Sequence, residues 1–538
     1  MEMNTTYLIL LILLIVYIPF YIYVRKSDRM KERGIVPYGP FVMFKTKRGI
    51  HYLDKVAKYK RFWRVFGTIS KIMALVLMLM ILFIIVIDLI LLPLMMDAPG
   101  LGVEYALALP GINPMLPLLY GVIGLVVAVA IHEVAHGIQT RANDMSVEST
   151  GLLYAVVPVG AFVEPNEEQI KKAPRKARTD MFAAGIAVNL TAAIVVFLIM
   201  SFGMLGSVSS PYGDNAGVMN VIDGSPAADA GIGFSSVILI IDNGTKTEVN
   251  YDGLMEYQFS LGSPGSWEKH RVTYLTKDGP EYRDMYMGVF LNSVTKNSPA
   301  EKATSAAATG PGIPKNSFLV SIEKDGTVHK IKNTDDFRKL TDPENPGRLL
   351  PGDAVKVTVL PYKDRDVGDA LEYDVTLGDN NGRAYFGVTY SLSGMTFTTP
   401  DEVLAGAKDP VHGVDSPLDV PYALMSYIGK PFRGYAPVPS EVQWWYHSSV
   451  LPDGALWVVM QTLFWIFWLN LVLGVTNALP AVPFDGGYLF RDGVGAIVDR
   501  THKGASEEKK EKITNMVTNV VSYAMLFALM LVMMAMIF

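Results

Sequence analysis

Three ionisable residues stand close together at the end of a long uncharged segment. The sequence reads IHEVAHG around His132, Glu133 and His136, and residues 116–131 contain no charged side chain. On a helix, positions i and i+4 lie on one face, so both imidazoles can bind a single metal ion. Zinc lowers the pKa of a bound water to about 7, and an adjacent carboxylate such as Glu133 then acts as general base. The pattern therefore predicts metal-assisted hydrolysis of a peptide bond.

The depth of this motif in a membrane separates two interpretations of it. The three residues form either a metal site within an apolar helix or a hydrated helix end outside the bilayer. At about 1.5 Å per residue, residues 116–132 cover roughly 24 Å of a hydrocarbon core of about 30 Å. Ionisable residues inside a membrane helix are costly and usually face a cavity or a partner. This depth favours a metal site inside the membrane.

A catalytic zinc ion needs one more protein ligand than the two imidazoles, since such sites usually have three and keep one position for water. The chain has no cysteine, so this ligand must be His, Asp or Glu. Asp485 lies in TNALPAVPFDGG, where Pro480 and Pro483 cannot continue a regular helix. An isolated loop aspartate is more often a turn or cap residue. The matching depth of the two motifs makes Asp485 the candidate third ligand.

The composition indicates that much of the chain lies in lipid. Only 18% of the 538 residues are charged and 50% are hydrophobic, whereas a soluble protein has about 25% charged residues. The lack of cysteine excludes disulfides and thiolate metal sites, and the net charge of −5 gives no support to nucleic-acid binding. Segments of about 20 apolar residues can cross a bilayer as helices. Six segments qualify: residues 6–24, 71–96, 116–140, 181–205, 455–479 and 513–538.

Basic residues predict how these spans are oriented. Residues 25–65 contain thirteen Lys and Arg side chains against three acidic ones, whereas residues 97–115 contain no Lys or Arg. Further basic clusters occur at residues 171–178 and 491–512. The positive-inside rule places these basic segments in the cytoplasm and both termini outside. We therefore expect a multi-pass protein of the cell membrane, with an uncleaved N-terminal anchor and the metal motif toward the cytoplasmic side.

About 250 residues between the fourth and fifth spans form a polar, β-rich insert that this topology makes extracytoplasmic. GSPAADAGI, at residues 224–232, precedes an apolar run and then MYMGV. NSPAEKA, at residues 297–303, precedes a second apolar run and then AYFGV. A turn, a short helix, a strand and a closing Gly-Val strand thus occur twice. The insert resembles tandem PDZ domains, which bind peptides by strand addition; the alternative is a generic β-rich region with coincidental turns.

The sequence therefore predicts a helical membrane protein with a β-rich insert, divided at changes in composition. The predicted parts are an N-terminal membrane half (1–206), two PDZ-like domains (207–292 and 293–393), an interfacial linker (394–453) and a C-terminal membrane half (454–538). In the linker, Trp444, Trp445 and Tyr446 are typical of an interfacial aromatic belt. The remaining histidines lack metal spacing and are predicted to be at the surface: His51, His270, His329, His412, His447 and His502.

HEVAHG and NALPAVPFDGG together resemble the paired motifs of the site-2 protease family, which are zinc intramembrane metalloproteases. The resemblance implies a Zn²⁺ ion held by His132, His136 and Asp485, with Glu133 as general base. It also implies that the substrates are membrane-anchored proteins. The PDZ-like pair is predicted to recognise, or to filter by size, the stub that a previous cut leaves; the alternative is an insert that only stabilises the enzyme.

Two further segments carry the same resemblance. GLLYAVVPVGAFVEPNEE, at residues 151–168, resembles the membrane-embedded β segment that pairs with an unwound substrate in this family. AAGIAVNL, at residues 183–190, resembles a helix whose asparagine maps to Asn189, although Ile186 stands where the family often has proline. The amide of Asn189 either donates to a developing oxyanion or bonds a neighbouring helix. Asn477 offers the same choice.

Two other functions are weighed against the endopeptidase. One is an inactive membrane scaffold that binds peptides through PDZ-like domains, which the intact set of His132, Glu133, His136 and Asp485 does not favour. The other is a transporter with an intramembrane ion site, for which the spans show no inverted repeat. The predicted partners are the lipid bilayer and membrane-anchored substrate proteins. The sequence does not indicate an oligomeric state.

Overall fold

The computed structural model describes residues 5–95, 102–106, 110–259, 262–263, 266–307, 310–434 and 436–537. The chain forms two compact units. The helical unit consists of Met1–Gly206, Gly413–Pro437 and Gly454–Phe538, and the β-rich unit consists of Ser207–His412 and Val438–Asp453.

The N-terminal part of the helical unit combines long helices with a small sheet. The helices are α1 (Thr5–Lys26), α2 (Asp28–Glu32), α3 (Arg48–Ala57), α4 (Lys60–Met95), α5 (Val103–Ala106), α6 (Leu118–Ala142), α7 (Glu167–Lys172) and α8 (Arg175–Leu198). A π-helical turn continues α8 over Ile199–Met204. The strands are β1 (Ile35–Tyr38), β2 (Phe41–Thr46), β3 (Val147–Tyr154) and β4 (Pro158–Pro165).

The small sheet is antiparallel, with the strand order β1-β2-β3-β4. Its first turn is bound by α1, because Tyr17 Oη donates to Pro40 O at 2.6 Å and Tyr21 Oη donates to Gly39 O at 2.6 Å. The sequence analysis does not predict the β1–β2 hairpin, although PYGP between β-branched and aromatic residues is its signal. On its other side, β4 pairs with no second strand among the described residues.

The β-rich unit contains short helices and many short strands. Its helices are α9 (Pro226–Ala230), α10 (Tyr251–Glu256), α11 (Pro299–Lys302), α12 (Thr334–Thr341) and α13 (Pro400–Lys408). Its first strands are β5 (Val208–Ser209), β6 (Ala216–Val221), β7 (Val237–Asp242), β8 (Lys246–Glu248), β9 (Gly262–Ser263), β10 (Ser266–Trp267), β11 (His270–Thr276), β12 (Gly279–Met285), β13 (Val289–Val294) and β14 (Ser317–Lys324). The others are β15 (Thr327–Lys330), β16 (Ala354–Lys363), β17 (Asp366–Val367), β18 (Leu371–Thr376), β19 (Gly378–Asn380), β20 (Arg383–Tyr385), β21 (Val388–Leu392), β22 (Met395–Thr398) and β23 (His447–Ser448).

One sheet extends across both predicted PDZ-like segments. Its strand order is β12-β11-β7-β6-β22-β21-β13-β14-β16-β17, and β8, β15 and β18 pair with β7, β14 and β16. Two apolar cores lie along it, one around Val272 and Leu254 and one around Val357 and Phe337. The two cores agree with a duplicated arrangement, while the boundaries and the PDZ identity of the segments stay predictions.

The repeated turns have the same local structure. Ser225 caps α9 by accepting from the backbone N–H of Ala228, and Ser298 caps α11 in the same way. A glycine with positive φ packs directly against each serine, Gly394 (φ 87°) against Ser225 and Gly387 (φ 80°) against Ser298. In both places a Cβ atom would overlap the serine side chain, so only glycine fits.

The phase of the repeat differs from the sequence pattern. The MYMGV segment closes the first repeat only in part: Met285 and Met287 lie in the first core, whereas Val289 begins β13 and belongs to the second core. The first core is completed by Leu392 of β21 and Met395 of β22 as well. The reason is that β22, the last strand of this sheet along the chain, pairs with β6, the first one.

The aromatic-belt prediction is wrong for two of its three residues. Trp445 and Tyr446 are completely buried in the β-rich unit. Trp445 Nε1 donates to Ser235 O at 2.8 Å, and Tyr446 Oη donates to Pro400 O at 2.8 Å. Buried Trp and Tyr side chains need such partners for their polar atoms. These two residues are therefore core residues of the β-rich unit.

One of the histidines predicted at the surface is also buried. His270 begins β11, has only 2% of its surface exposed and packs edge-on against Phe259. Desolvation lowers its pKa, which favours the neutral imidazole. The prediction fails because the alternation of the strand decides which face a side chain takes, whatever the polarity of the segment.

The C-terminal part completes the helical unit with α14 (Val420–Ile428), α15 (Asp453–Asn477), α16 (Asp485–Thr501) and α17 (Glu507–Ile537). Among the described residues, five helical segments are long and apolar enough to cross a membrane: Lys60–Pro93, Leu118–Ala142, Arg175–Ser207, Asp453–Asn477 and Glu507–Ala535. The first predicted span coincides with α1, which is not one of these five. The fold is that of a helical membrane protein with a β-rich insert.

Candidate metal centre

The predicted metal ligands come together from two separate helices. His132 and His136 lie one turn apart on α6, and Asp485 is the first residue of α16, after the proline-containing break in the chain. The two Nε2 atoms are 3.1 Å apart, and each lies 3.2 Å from Asp485 Oδ2. The three side chains are at most 12% exposed.

The donor atoms of this group suit a divalent cation. His136 Nδ1 donates to Met181 O at 2.8 Å, so its Nε2 atom carries a free lone pair. Asp485 Oδ2 is buried and has no hydrogen-bond partner among the described residues. Lone pairs that face each other in a buried site repel unless a cation lies between them. Two imidazole nitrogens and one carboxylate oxygen are a usual ligand set of catalytic zinc.

A glycine of α8 makes room for the two imidazole rings. A Cβ atom at Gly185 would lie 2.6 Å from His132 Cε1 and 2.6 Å from His136 Nε2. These distances are too short for any side chain, so the rings lie directly against the helix backbone. The sequence analysis singles out AAGIAVNL but does not identify roles for Gly185 or for the carbonyl of Met181. The small residues of that motif are the signal for the close contact.

Ion pairs hold α8 against its neighbours near the metal ligands. The completely buried Asp180 of α8 lies 2.6 Å from Lys71 Nζ of α4. Arg178 forms a bidentate pair with Asp492 of α16. A paired charge in an apolar environment is strongly favoured over an unpaired one. These contacts fix α8, and with it Met181 and Gly185, relative to the helix that carries Asp485.

The candidate base lies beside the free edge of the small sheet. Val163 N of β4 donates to Glu133 Oε2 at 3.2 Å. In an antiparallel pair, alternate residues direct their N–H groups away from the partner strand, so Val163 presents this group on the side opposite β3. A Cβ atom at Gly137 would lie 3.1 Å from Val163 Cγ1, which shows how closely α6 and β4 pack.

The two asparagines named in the sequence analysis differ in their surroundings. Asn189 lies one turn after Gly185, is completely buried, and neither polar atom of its side chain has a partner among the described residues. Asn477 Nδ2 donates to Leu473 O of its own helix at 3.0 Å. The Asn189 amide therefore has hydrogen-bonding capacity that the protein itself does not use.

Comparison with known proteins gives the family. The sequence model of peptidase family M50 matches residues 120–529, which include both metal motifs and the segment between them. The chain therefore belongs to peptidase family M50, the site-2 protease family, as its motifs predict. Membership of this family points to a site-2 type intramembrane metalloprotease.

A similar sequence is that of an uncharacterized protein of Methanocaldococcus jannaschii, which is 32% identical over 203 residues. The aligned region is 38% of this chain and 53% of the relative, so the chain spans about half the length of that protein.

Proposed function

We propose that this protein is a zinc-dependent endopeptidase that cleaves membrane-anchored proteins within or near their membrane-spanning segments. The observation that carries the proposal is the convergence of His132 Nε2, His136 Nε2 and Asp485 Oδ2 within about 3.2 Å of one another. The five apolar helices and the family support the same function. An inactive scaffold is not favoured, since it has no need for this group.

The chemistry is divided among four residue types. His132, His136 and Asp485 would hold the zinc ion, which supplies a Lewis acid and lowers the pKa of water when it is bound. Glu133 takes the proton of the attacking water and later delivers it to the amine that leaves. The free amide of Asn189 donates to the negative oxygen that develops on the scissile carbonyl.

The small sheet presents the substrate in an extended form. A membrane helix hides its peptide bonds in internal hydrogen bonds, so it must unwind before it is hydrolysed. The free edge of β4 binds the unwound segment by strand addition. Because Val163 N contacts Glu133, a chain paired with this edge would pass next to the candidate base.

The β-rich unit selects the substrates. By the positive-inside rule it lies outside the cytoplasm, in a protein of the cell membrane. Its duplicated turns, with equivalent caps at Ser225 and Ser298, support two PDZ-like modules. They bind the shortened stub that an earlier cleavage leaves, or exclude the uncut protein by its size.

The decisive experiment compares Glu133→Gln with Glu508→Gln, an exposed residue of α17. Cleavage of a single-span reporter in detergent is measured beside zinc content, with the reporter supplied both uncut and already shortened. Glu133→Gln should keep about one zinc ion and lose at least about 10³-fold in rate, because it removes the base and leaves the ligands intact. The control variant should cleave the reporter at the wild-type rate. The shortened reporter should be cleaved faster than the uncut one. Unimpaired cleavage by Glu133→Gln would reject the mechanism.

A further inference from the structure

A basic cavity lies on the helical unit between the beginnings of α4 and α8. Its volume is about 570 Å³. Four cations line it, together with three other residues of α4: Lys60, Arg61, Arg64 and Lys176, with Val65, Thr68 and Ile69. The metal ligands and Glu133 do not line it.

The charges around this cavity are not balanced. Asp144 is the acidic partner of both Lys60 and Arg64. The exposed side chains of Arg61 and Lys176 form no ion pair with any residue that the structure describes. One carboxylate therefore faces four cations, which leaves an excess of positive charge at the cavity. An anion of more than one charge, or one with several oxygens such as a phosphate, complements this arrangement.

An apolar stripe continues from the cavity along α4. Its residues are spaced by three or four positions, so they follow one face of the helix, and each is between 50% and 63% exposed: Val65, Ile69, Ile72, Val76 and Leu79. These residues belong to a segment apolar enough to cross a membrane. A ligand that fills the cavity and covers the stripe must have an anionic end and a long hydrocarbon end.

Aromatic residues beside the cavity mark the depth at which it lies. Tyr59 and Phe62 are 63% and 61% exposed, and they line a second groove together with Lys58 and Arg61. Exposed aromatic rings next to Lys and Arg side chains are typical of the zone between lipid headgroups and acyl chains. The cationic end of the cavity is thus at the level of phosphate groups, and the stripe at the level of acyl chains.

We propose that this cavity is a binding site for an anionic phospholipid. Its phosphate contacts Arg61 of α4 and Lys176 of α8, and one acyl chain lies along the stripe on α4. The proposal requires that α4 crosses the membrane, and it is independent of the proposed peptidase activity.

A lipid bound in this way would tie together two helices that position the metal ligands. Gly67 of α4 packs so closely on α8 that a Cβ atom there would lie 2.8 Å from Asp180 Cβ. Asp180 directly precedes Met181, whose carbonyl orients His136. The phosphate bridges the same two helices one to two turns away, at Arg61 and Lys176, and so stabilises this packing.

The test compares two double variants that each remove two positive charges. Arg61→Gln/Lys176→Gln changes the cavity, and Lys171→Gln/Lys172→Gln changes exposed lysines that pair with Glu167 and Glu168 on α7. The full-length proteins, in a neutral detergent, are mixed with equal amounts of phosphatidylglycerol and phosphatidylcholine. Bound lipid is counted by native mass spectrometry, and the thermal midpoint is measured with and without each lipid.

The wild-type protein should retain one phosphatidylglycerol at least about tenfold more tightly than phosphatidylcholine. Each cation near an anionic surface contributes about fivefold in affinity, so the cavity variant should bind about 25-fold more weakly, while the control changes less than about twofold. Excess inorganic phosphate should not displace the lipid. Equal retention of the two lipids, an equal loss in the control variant, or displacement by inorganic phosphate would each overturn the proposal.

Discussion

The two units differ in the hydrogen bonding of their buried polar side chains. Among the described residues, and leaving aside Asp180, which is paired with Lys71, six buried side-chain N or O atoms of the helical unit have no hydrogen-bond partner, against two in the β-rich unit. In the β-rich unit the buried serines at positions 225 and 298 cap helices, and Ser393 donates to Gly288 O. In the helical unit the atoms without a partner include those of His132, Asn189 and Asp485.

This difference shows where something other than protein is expected to bind. A buried polar atom without a partner is costly in any protein, and the cost is greater in lipid, where no water replaces the partner. Polar atoms in the β-rich unit stabilise local structure. In the proposed function, those at the centre of the helical unit bind a metal ion, water or a peptide carbonyl. The predictions below test this distinction.

The largest effect is expected for Asp485→Asn. The amide has nearly the same shape but no charge, and its NH₂ group repels a cation, so zinc content should fall at least about tenfold and cleavage at least about 10³-fold. Asp499→Asn, a half-exposed residue of the same helix that pairs with Arg175, is the control. Full zinc occupancy in Asp485→Asn, measured by elemental analysis, would contradict the ligand assignment.

Asn189→Ala should reduce kcat by about 10²- to 10³-fold, because loss of one oxyanion donor has that effect. Zinc content and KM should change little, since the amide makes no contact with the metal ligands in the proposed mechanism. Asn477→Ala, which removes a donor already used within its own helix, should change kcat far less. An unchanged kcat with a lowered thermal midpoint would assign Asn189 to helix packing instead.

Gly185→Ala should lower cleavage by about 10- to 100-fold. The added methyl group displaces the two imidazoles, and an error of about 1 Å in catalytic geometry has an effect of this size. Gly493→Ala, in α16 with no atom within 4 Å of the added Cβ, should leave cleavage unchanged. Equal cleavage rates for the two variants would show that the positions of the two imidazole rings do not depend on this contact.

The smallest effect concerns the β-rich unit, where a polar pair should influence stability alone. Tyr286 Oη donates to Asp366 Oδ1 at 2.7 Å. Burial, aided by this bond, raises the pKa of Tyr286 to about 12, and the bond lowers the pKa of Asp366. Tyr286→Phe should lower the unfolding midpoint of this unit by about 2–4 °C and leave zinc content unchanged.

The pH dependence of that difference has a definite sign. The pKa of Asp366 is lower in the folded state, so its contribution is complete above the unfolded pKa, near 4, and is lost as pH falls through the folded value. The unfolding midpoints of the wild-type protein and of Tyr286→Phe should therefore become more alike below pH 4. Tyr282→Phe, an exposed residue on β12, is the control, and a difference that persists unchanged at low pH would contradict the pairing.

The grouping of His132, His136 and Asp485 could be predicted from the sequence because its signals are local. The i, i+4 spacing of His132 and His136 determines one helix face, and the prolines before Asp485 break a helix at the matching depth. The apolar spans are also local, since their length and composition are sufficient to identify them. These features need no knowledge of which elements touch.

The remaining features depend on contacts between distant segments. The small residues around Gly185 indicate a close helix contact, but they do not indicate that its partners are two imidazoles of α6. No local pattern indicates that Lys71 pairs with Asp180, or that the β1–β2 hairpin extends the sheet of β3 and β4. Trp445 and Tyr446 have the composition of a membrane interface but lie in a core. Tertiary packing decides such cases, and periodicity does not contain that information.

The return of β22 to β6 has a consequence for biosynthesis. Met395 pairs with Val221, so the first repeat acquires its closing strand only after the ribosome has made β22, which follows both repeats in the chain. Until then the nascent chain exposes an open strand edge, which is a site for misassembly. Translation that stops before residue 388 leaves both repeats without their final strands, β21 and β22. The insert is therefore expected to fold as one event after its synthesis, with neither repeat mature before the other.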